Sequence, residues 1–430
     1  MIKEIIQKIQ NKESKICIVG LGYVGLPLAI NFAKEGFKVT GLDTDSRQCE
    51  LINKSKSPFN HISNSSLREI SNKLKATSKV SEISKCDVII VCLPTPLDRH
   101  RQPDLSIVKN SLDSFSKYLK KGQAISFEST TYPGTTEEVF LPKLLERGLK
   151  VGSDFFLIYS PEREDPGNEL FALEDIPKVC AGYTKKCLEV GLKIYSSIFN
   201  SVVEVSSLKV AEMTKLLENI HRSVNIGLVN EMKLICDPMD ININEVITAA
   251  ATKPFGFVPY RPGPGLGGHC IPIDPFYLSW KAKEFGLSAR FIELAGEINI
   301  QMPDFVIKKV LELLNEIKIP FSKSKILILG VAYKKNVGDT RESPSISIIQ
   351  KLLMLNAQIQ YYDPYVNSIK INNKLLKSIK NLTSKRIQSF DLTLLLTDHD
   401  EVNYKDILKN SSKIIDTRNV FEPHRKVKQA

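Results

Sequence analysis

The sequence predicts an α/β protein in which two Rossmann-like parallel sheets, one of them smaller, are joined by a helical region. Three observations lead to this prediction. Apolar runs alternate with helical patterns over 1–205, a long helical period fills 206–236, and the alternation returns near 325. Because 430 residues exceed one ordinary core, we expect domains at 1–205, 206–318 and 319–430.

The first domain begins in the order strand, glycine turn, helix and strand. The apolar run 15–19 leads into Gly20-Leu-Gly22-Tyr-Val-Gly25 and a helical pattern, and the next apolar run ends in Asp43. Further strands are predicted at 87–93, 123–127 and 155–159. Each precedes a polar loop, which is typical of a doubly wound sheet that binds ligands at the carboxyl ends of its strands.

The remainder of the chain is predicted to contain helices to about 318 and then a second, smaller parallel sheet. A strand at 325–331 is followed by a helix near 344–355. Later strands are predicted at 358–362, 392–396 and 413–416. No clear sequence repeat relates the two sheets, so we expect only a similar topology.

Composition favours a soluble cytoplasmic protein. Hydrophobic residues make up 42% and charged residues 25%, no run of eighteen apolar residues occurs, and the N-terminus lacks the apolar block of a signal peptide. The net charge is +11, but the lysines are scattered and not interleaved with aromatic residues. We therefore expect neither nucleic-acid nor membrane binding, and interpret the charge as suited to two diphosphate ligands.

Only one of the eight cysteines has a sequence context that indicates chemistry. The cysteines have no CxxC or zinc-like spacing, so we predict neither a disulfide framework nor a metal site. Cys270 follows a glycine-rich stretch in RPGPGLGGHCIPIDPFY, at 261–277, which predicts an exposed loop beside a ligand. Asp274 lies near enough along the chain to act on the thiol or on a water molecule.

The glycine turn predicts a dinucleotide site. Gly20 permits the tight turn, Gly22 lets the backbone approach a pyrophosphate, and Gly25 allows the helix to pack closely on the strand. Asp43 can accept hydrogen bonds from ribose hydroxyls and repel a 2′-phosphate, which favours NAD⁺ over NADP⁺. Arg47 lies close enough to soften that preference.

A polar stripe runs along the predicted helix 206–236. Glu212, Lys215, Asn219 and Arg222 are spaced by three, four and three residues, which places them on one face. Surface helices often carry such a stripe, so spacing alone leaves a solvated face and a functional face as equal alternatives. The stripe is functional only if Lys215 and Asn219 face a cleft.

Three polar loops follow strands and are candidates for ligand contacts. Glu128-Ser129-Thr130 leads into Tyr132-Pro133-Gly134-Thr135-Thr136, whose hydroxyls and backbone suit phosphate or nicotinamide. Glu162 is a candidate acid or base. Lys334 and Arg341 lie in loops where anionic ligands usually bind, although a solvated basic loop is the alternative.

Together these segments resemble the UDP-glucose/GDP-mannose dehydrogenase family over essentially the whole chain. The motifs are GLGYVGLP at 20–27, ESTTYPGTT at 128–136, SPER at 160–163, AEMTKLLEN at 211–219, GPGLGGHC at 263–270 and YKKNVGDTRES at 333–343. PTPLDRHRQPDLS at 94–106, SPEREDPGN at 160–168 and PGPGLGGHCIPIDPFYL at 262–278 are similar to the bacterial UDP-N-acetylglucosamine 6-dehydrogenases within that family.

The resemblance implies catalytic roles at the matching positions. Cys270 is similar to the nucleophile, Lys215 and Asn219 to the pair that stabilises oxyanions, and Glu162 to the residue implicated in thioester hydrolysis. The residues that resemble the groups orienting the catalytic water are Asp274 and Thr130.

The resemblance also implies binding residues. Those implied for NAD are Gly20, Gly22, Tyr23, Val24, Gly25, Asp43, Arg47, Thr95, Ser129, Thr130 and Arg341. Those implied for the UDP-sugar are Glu162, Lys215, Asn219, Arg261, Gly267, Lys334 and Arg418. Arg261 is implied to reach the sugar of a neighbouring subunit, and the apolar faces of the helix 206–236 to join two subunits into a homodimer or a higher homo-oligomer.

The implied reaction is an NAD-dependent four-electron oxidation at C6 of a UDP-sugar, through a thiohemiacetal and a thioester on Cys270. UDP-N-acetylglucosamine is the favoured substrate, with UDP-N-acetylgalactosamine, UDP-N-acetylmannosamine and UDP-glucose as alternatives. The nearest enzymatic alternative is a two-electron β-hydroxyacid dehydrogenase. Such an enzyme needs neither a cysteine at position 270 nor a second α/β domain, and this chain is predicted to have both. A catalytically silent nucleotide-sugar or NAD-binding module is the alternative from another class.

Overall fold

The computed structural model describes residues 1–59, 62–163, 172–268 and 270–430, with Cys270 described by its backbone alone. The chain divides into two compact units. Unit 1 contains Met1–Glu218 and Phe276–Leu287, and unit 2 contains Asn219–Pro275 and Ser288–Ala430. The division into three domains stays a prediction. None of the helices in the described ranges is both long and apolar enough to span a bilayer.

Unit 1 is built on an eight-stranded sheet. Its strands are β1 (Lys15–Val19), β2 (Lys38–Leu42), β3 (Leu74–Thr77), β4 (Val88–Val91), β5 (Ala124–Phe127), β6 (Phe156–Tyr159), β7 (Lys178–Gly182) and β8 (Val202–Glu204). Their order is β3-β2-β1-β4-β5-β6-β7-β8, and only the β6–β7 pair is antiparallel. This topology confirms the predicted Rossmann-like sheet.

Helices cover the sheet of unit 1 and begin the central region. They are α1 (Ile2–Gln10), α2 (Gly25–Lys34), α3 (Ser46–Asn53), α4 (Asn64–Glu69), α5 (Ser106–Phe115), α6 (Leu141–Leu145), α7 (Lys185–Tyr195) and α8 (Leu208–Cys236). Every residue of β4, β5 and β6 is buried, as expected for central strands with both faces covered.

Unit 2 contains the rest of the helical region and a smaller sheet. Its helices after α8 are α9 (Ile243–Ala250), α10 (Cys270–Lys283, shared with unit 1), α11 (Arg290–Glu316), α12 (Pro344–Met354), α13 (Ser384–Ile387) and α14 (Tyr404–Asn410). Its strands are β9 (Lys325–Leu329), β10 (Gln358–Tyr362), β11 (Ser368–Ile371), β12 (Lys374–Lys377), β13 (Leu392–Leu395), β14 (Ile414–Asp416) and β15 (Val427–Gln429). The parallel order β10-β9-β13-β14-β15 confirms the predicted second sheet, and β11 and β12 form a separate hairpin.

The two sheets share a hydrogen-bonded turn at the end of the first strand, which the sequence does not reveal. In unit 1, the backbone N–H of Gly20 donates to the carbonyl of Leu42 at 2.8 Å, and the next residue donates its N–H to the Asp43 carboxylate. In unit 2, Gly330 donates to Tyr362 at 2.9 Å, and the next residue donates to Asp363. Each first strand therefore ends in a glycine turn held by the carboxylate that follows the second strand.

Candidate active site

The glycine turn after β1 has the geometry that a dinucleotide requires. Gly20 has a φ of +92°, and a Cβ on Gly25 would lie 1.8 Å from the Gly20 carbonyl oxygen, so neither position tolerates a side chain. A Cβ on Gly22 would meet no described atom within 4 Å. That open space, together with a helix α2 whose first turn receives no side-chain cap from the described residues, fits the pyrophosphate of NAD.

Asp43 holds the glycine turn and keeps acceptor capacity for the predicted ribose. Its carboxylate accepts the N–H of Leu21 at 2.8 Å and that of Asp45 at 2.9 Å. Each oxygen keeps a second lone pair, so the half-buried carboxylate can still accept a ribose hydroxyl. Arg47 is exposed in the first turn of α3. Tyr23 stacks on Phe59 with ring centroids 4.6 Å apart.

Hydroxyl groups tie together the loops that follow β4 and β5. Ser129 accepts the N–H of Leu93 at 3.0 Å, and Thr95 donates to the carbonyl of Thr130 at 2.7 Å. Thr95 in turn accepts, at its carbonyl, the hydroxyl of Tyr277 at 3.0 Å. Thr95 and Ser129 are buried, whereas Thr130 is half-buried. The structure thus gives Thr95 and Ser129 a role in shaping this loop pair.

The polar stripe of α8 is buried for most of its length. Glu212 is 0% exposed, Lys215 and Asn219 are each 4% exposed, and only Arg222 is exposed. Lys215 lies 3.4 Å from the carboxylate of Glu162, which is itself buried. Three of the four positions therefore do not form a solvated face. The pairing of Lys215 with Glu162 has no sequence signal, because 53 residues separate the partners.

Glu212 fixes the loop that follows Thr130. Its carboxylate accepts the N–H of Gly134 at 2.5 Å, and the N–H and hydroxyl of Thr136 at 2.9 and 2.7 Å. Burial raises the pKa of Glu212 to about 7, although these donors act in the opposite direction.

Asn219 and Asp274 form a buried polar pair in unit 2. The side-chain amide of Asn219 donates to Asp274 at 2.5 Å, and Asp274 is 1% exposed. Asp274 lies one turn after Cys270, the first residue of α10. The Cys270 side chain lies outside the described residues, so its predicted role stays a prediction. The other seven cysteines are all buried, as expected for inert core thiols.

The glycines before Cys270 pack on the second half of unit 2. A Cβ on Gly267 would lie 2.6 Å from the Tyr333 Cβ, and one on Gly268 would lie 2.8 Å from the Tyr333 ring. Gly268 also donates its N–H to the carbonyl of Arg341 at 3.0 Å. Tight packing therefore explains Gly267, which the sequence resemblance assigned to the substrate.

The cationic candidates of unit 2 differ in burial and in their contacts. The half-buried Arg418 donates to the Leu396 carbonyl at 2.7 Å, and burial lowers the pKa of its guanidinium. Arg341 is exposed and binds Asp339 at 2.7 Å. Lys334 is half-buried. Arg261 donates to the Asn244 carbonyl at 2.8 Å and the Thr248 hydroxyl at 2.9 Å, so α9 orients it.

A second buried ion pair escaped the sequence analysis. Lys178 lies 2.7 Å from Glu128, with both side chains almost fully buried, and Tyr195 donates to Glu128 at 2.8 Å. Burial raises the pKa of Glu128 in spite of Lys178. Glu128, Lys178 and Glu162 line one small cavity together with Val24. The available sequence signal was Lys178 at the start of the apolar strand β7.

Three domains of one family match the chain in order. For the UDP-glucose/GDP-mannose dehydrogenase family, the NAD binding domain matches residues 14–199, the central domain 209–301 and the UDP binding domain 327–423. The first match contains the glycine turn, the second contains Lys215, Asn219, Cys270 and Asp274, and the third contains Lys334 and Arg418.

Individual relatives are similar over most of their length. The chain is 37% identical to UDP-N-acetyl-D-glucosamine 6-dehydrogenase of Pseudomonas aeruginosa over 83% of this chain and 84% of that protein. It is 35% identical to UDP-N-acetyl-D-mannosamine dehydrogenase of Pyrococcus horikoshii over 95% and 96%. A solved structure of UDP-D-ManNAc dehydrogenase from Pyrococcus horikoshii has a TM-score of 0.87 at 33% identity, covering 96% of this chain and 98% of that one. The chain therefore belongs to the UDP-glucose/GDP-mannose dehydrogenase family and is an NAD-dependent UDP-sugar dehydrogenase.

Proposed function

We infer that this enzyme oxidises the C6 hydroxymethyl group of UDP-N-acetylglucosamine to a carboxylate. The burial of Lys215 and Asn219 on α8, each beside a carboxylate, carries the inference about the chemistry. The name of the Pseudomonas aeruginosa relative supports the choice of sugar. A helix buries polar side chains at such cost only where partners or a ligand compensate them. Both positions match residues that handle oxyanions in the resemblance described above.

The reaction removes four electrons in two oxidations. Each oxidation transfers one hydride to NAD⁺, so two NAD⁺ molecules are consumed per sugar. Between the oxidations, the Cys270 sulfur adds to the aldehyde carbon, and the oxygen becomes an alkoxide or hydroxyl of a thiohemiacetal. After the second oxidation the thioester is hydrolysed: water adds to the carbonyl carbon, the C–S bond breaks, and the thiol is regenerated.

The buried groups fit the charges that develop. Negative charge appears on the sugar oxygen when sulfur or water adds, and a preorganised ammonium at Lys215 with the amide of Asn219 would stabilise it. Glu162 would accept the proton of the attacking water, and Asp274 and Thr130 would orient that water. Cys270 begins α10, where the helix dipole favours the thiolate.

The ligand residues are assigned by the same reasoning. Gly20, Gly22, Gly25 and Asp43 would hold NAD, and Arg341 is assigned to the cofactor by the resemblance alone. Lys334 and Arg418 would bind the UDP diphosphate, since both are cations after strands of the second sheet. UDP-N-acetylmannosamine is the second candidate substrate, because the relative from Pyrococcus horikoshii carries that name and spans nearly the whole chain.

Complete oxidation of a limiting sugar is expected to yield two NADH per sugar, with the acid as the only released product. The reason is the covalent attachment at Cys270, which retains the aldehyde between the oxidations. The measurement is absorbance of NADH with a panel of UDP- and GDP-sugars, followed by product mass. One NADH per sugar with free aldehyde would contradict the four-electron reaction. No NADH with any nucleotide sugar would favour the silent binding module.

We also propose a homodimer built on α8. Leu228, Met232 and Ile235 lie on one face of the helix and are 53%, 37% and 48% exposed. An apolar face of this kind usually marks an interface between chains. In such a dimer, Arg261 would reach the partner's sugar.

Leu228→Asp/Ile235→Asp is therefore expected to shift the mass measured by light scattering from dimer to monomer. Buried carboxylates at a subunit contact are costly, which gives the direction of the change. Leu375→Asp is the control, because Leu375 is similarly exposed, at 60%, on the separate hairpin. A monomeric wild-type protein would refute the dimer.

A further inference from the structure

His399 is a fully buried histidine in the loop after β13 that the proposed reaction does not use. Its Nε2 lies 3.1 Å from Asp363, and both side chains are 0% exposed. Asp363 also accepts the N–H groups of Val331 and Ala332 at 2.7 and 3.1 Å. Burial raises the pKa of Asp363, but the interaction with His399 and the hydrogen bonds from the backbone N–H groups of Val331 and Tyr365 outweigh it and lower that pKa.

The other imidazole nitrogen of His399, Nδ1, accepts a hydrogen bond from a turn in the loop 333–341. The Asn336 backbone N–H donates to Nδ1 of His399 at 3.0 Å. Because a backbone N–H can only donate, Nδ1 carries no proton, and the ring is the neutral tautomer that donates from Nε2 to Asp363. Asn336 has a φ of +59°, a strained conformation that requires such support.

Asp400, the residue after His399, binds the same turn. The Asn336 side chain donates to Asp400 at 2.7 Å and accepts the Asp400 N–H at 3.0 Å. Lys335 lies 2.6 Å from the same carboxylate. Residues 335–336 are thus held by 399–400 through three hydrogen bonds and an ion pair.

The clamped loop carries the groups that matter for the substrate. Lys334 directly precedes the clamped turn. Tyr333 packs against Gly267 and Gly268, and at the other end of the loop the backbone carbonyl of Arg341 accepts the Gly268 N–H. Both ends of the loop therefore support the glycines that lead to Cys270, and all these contacts lie within unit 2.

We propose that His399 is a positioning residue for the UDP-sugar. By accepting the Asn336 N–H, it fixes the loop 333–341 so that Lys334 meets the diphosphate and Tyr333 supports the glycines before Cys270. This inference rests on the proposed function. It assigns to His399 a role that its buried packing alone would not require.

Two substitutions of His399 each remove a different one of its two hydrogen bonds. In His399→Gln the amide reaches towards Asp363, and the acceptor for Asn336 is lost. In His399→Asn the side-chain oxygen takes about the place of Nδ1, and only the bond to Asp363 is lost. His424→Gln is the control, because exposed His424 also accepts a backbone N–H at Nδ1, from Lys426 at 3.2 Å.

The measurements are the Kd of UDP by calorimetry, kcat, the KM for UDP-sugar and for NAD⁺, and the melting temperature. His399→Gln is expected to raise the Kd of UDP and the KM for UDP-sugar by on the order of tenfold, since a buried amide loses its acceptor. The KM for NAD⁺ should stay unchanged. His399→Asn should restore most of the UDP affinity, and His424→Gln should behave like wild type.

Wild-type UDP affinity in His399→Gln would overturn the proposal. Equal weakening of UDP and NAD⁺ in both variants, with an equally lowered melting temperature, would also overturn it, because the role would then be structural. If the wild-type enzyme oxidises no UDP-sugar but binds UDP, the proposed function fails, while the calorimetric comparison still decides the role of His399.

Discussion

Lys215→Met is expected to lower kcat/KM for the UDP-sugar by on the order of 10²–10³, the usual loss when one preorganised oxyanion donor is removed. The ammonium is 4% exposed, so it acts in a site from which water is largely excluded. The initial rate of NADH formation at saturating NAD⁺ measures the change. Methionine keeps most of the side-chain volume, so the loss should arise from the charge.

Two controls separate this role from simpler ones. Lys209→Met removes an exposed lysine on the same helix, paired with Glu137 at 3.5 Å, and should leave the rate unchanged. Lys215→Met also leaves Glu162 as a buried carboxylate without this cation, which is destabilising in itself. The double variant Lys215→Met/Glu162→Gln removes both charges. The readout is the pre-steady-state rate of NADH formation, which Glu162→Gln alone is expected to leave unchanged. If the double variant recovered that rate, the unpaired carboxylate would be the cause, and the oxyanion role of Lys215 would be wrong.

The sheets could be predicted because their signals are local. Apolar runs, the glycine turn and Asp43 lie within a few dozen residues, and the backbone geometry of Gly20 and Gly25 follows from them. Two of the strands that the sequence missed, β3 and β8, lie at the edges of the first sheet and are weak in pattern. β8 has three residues and is largely exposed, and β3 contains a charged residue in an alternating pattern. Such short edge strands are formed by pairing with a neighbour, which the sequence cannot show.

The candidate site shows the same limit more sharply. Spacing placed Lys215 and Asn219 on one face but could not decide between solvent and a cleft. Their burial depends on partners far along the chain, Glu162 and Asp274, 53 and 55 residues away. Lys178 with Glu128 and His399 with Asp363 are equally non-local. The sequence therefore identifies the residue types of the site, while only the fold identifies their pairs.

Glu162→Gln is expected to permit both hydride transfers but to slow release of the acid by on the order of 10²–10⁴. Glutamine can still accept a hydrogen bond from Lys215, so the positioning at 3.4 Å is largely kept. It cannot accept the proton of the attacking water, so the C–S bond of the Cys270 thioester persists. Stopped-flow absorbance should then show an NADH burst followed by a slow phase.

The adduct itself gives the decisive observation. Intact-protein mass spectrometry of the quenched variant should show an added nucleotide-sugar acyl mass, mapped by digestion to Cys270, and Glu162→Gln/Cys270→Ala should lack it. Glu218→Gln is the matched control, because Glu218 pairs with the neighbouring Arg163 at 2.6 Å and should deacylate normally. If Glu162→Gln slows the first hydride transfer equally and carries no adduct, Glu162 is a binding or structural residue. Activation of the hydrolytic water would then fall to Asp274 and Thr130, of which buried Asp274 is the one that can take a proton.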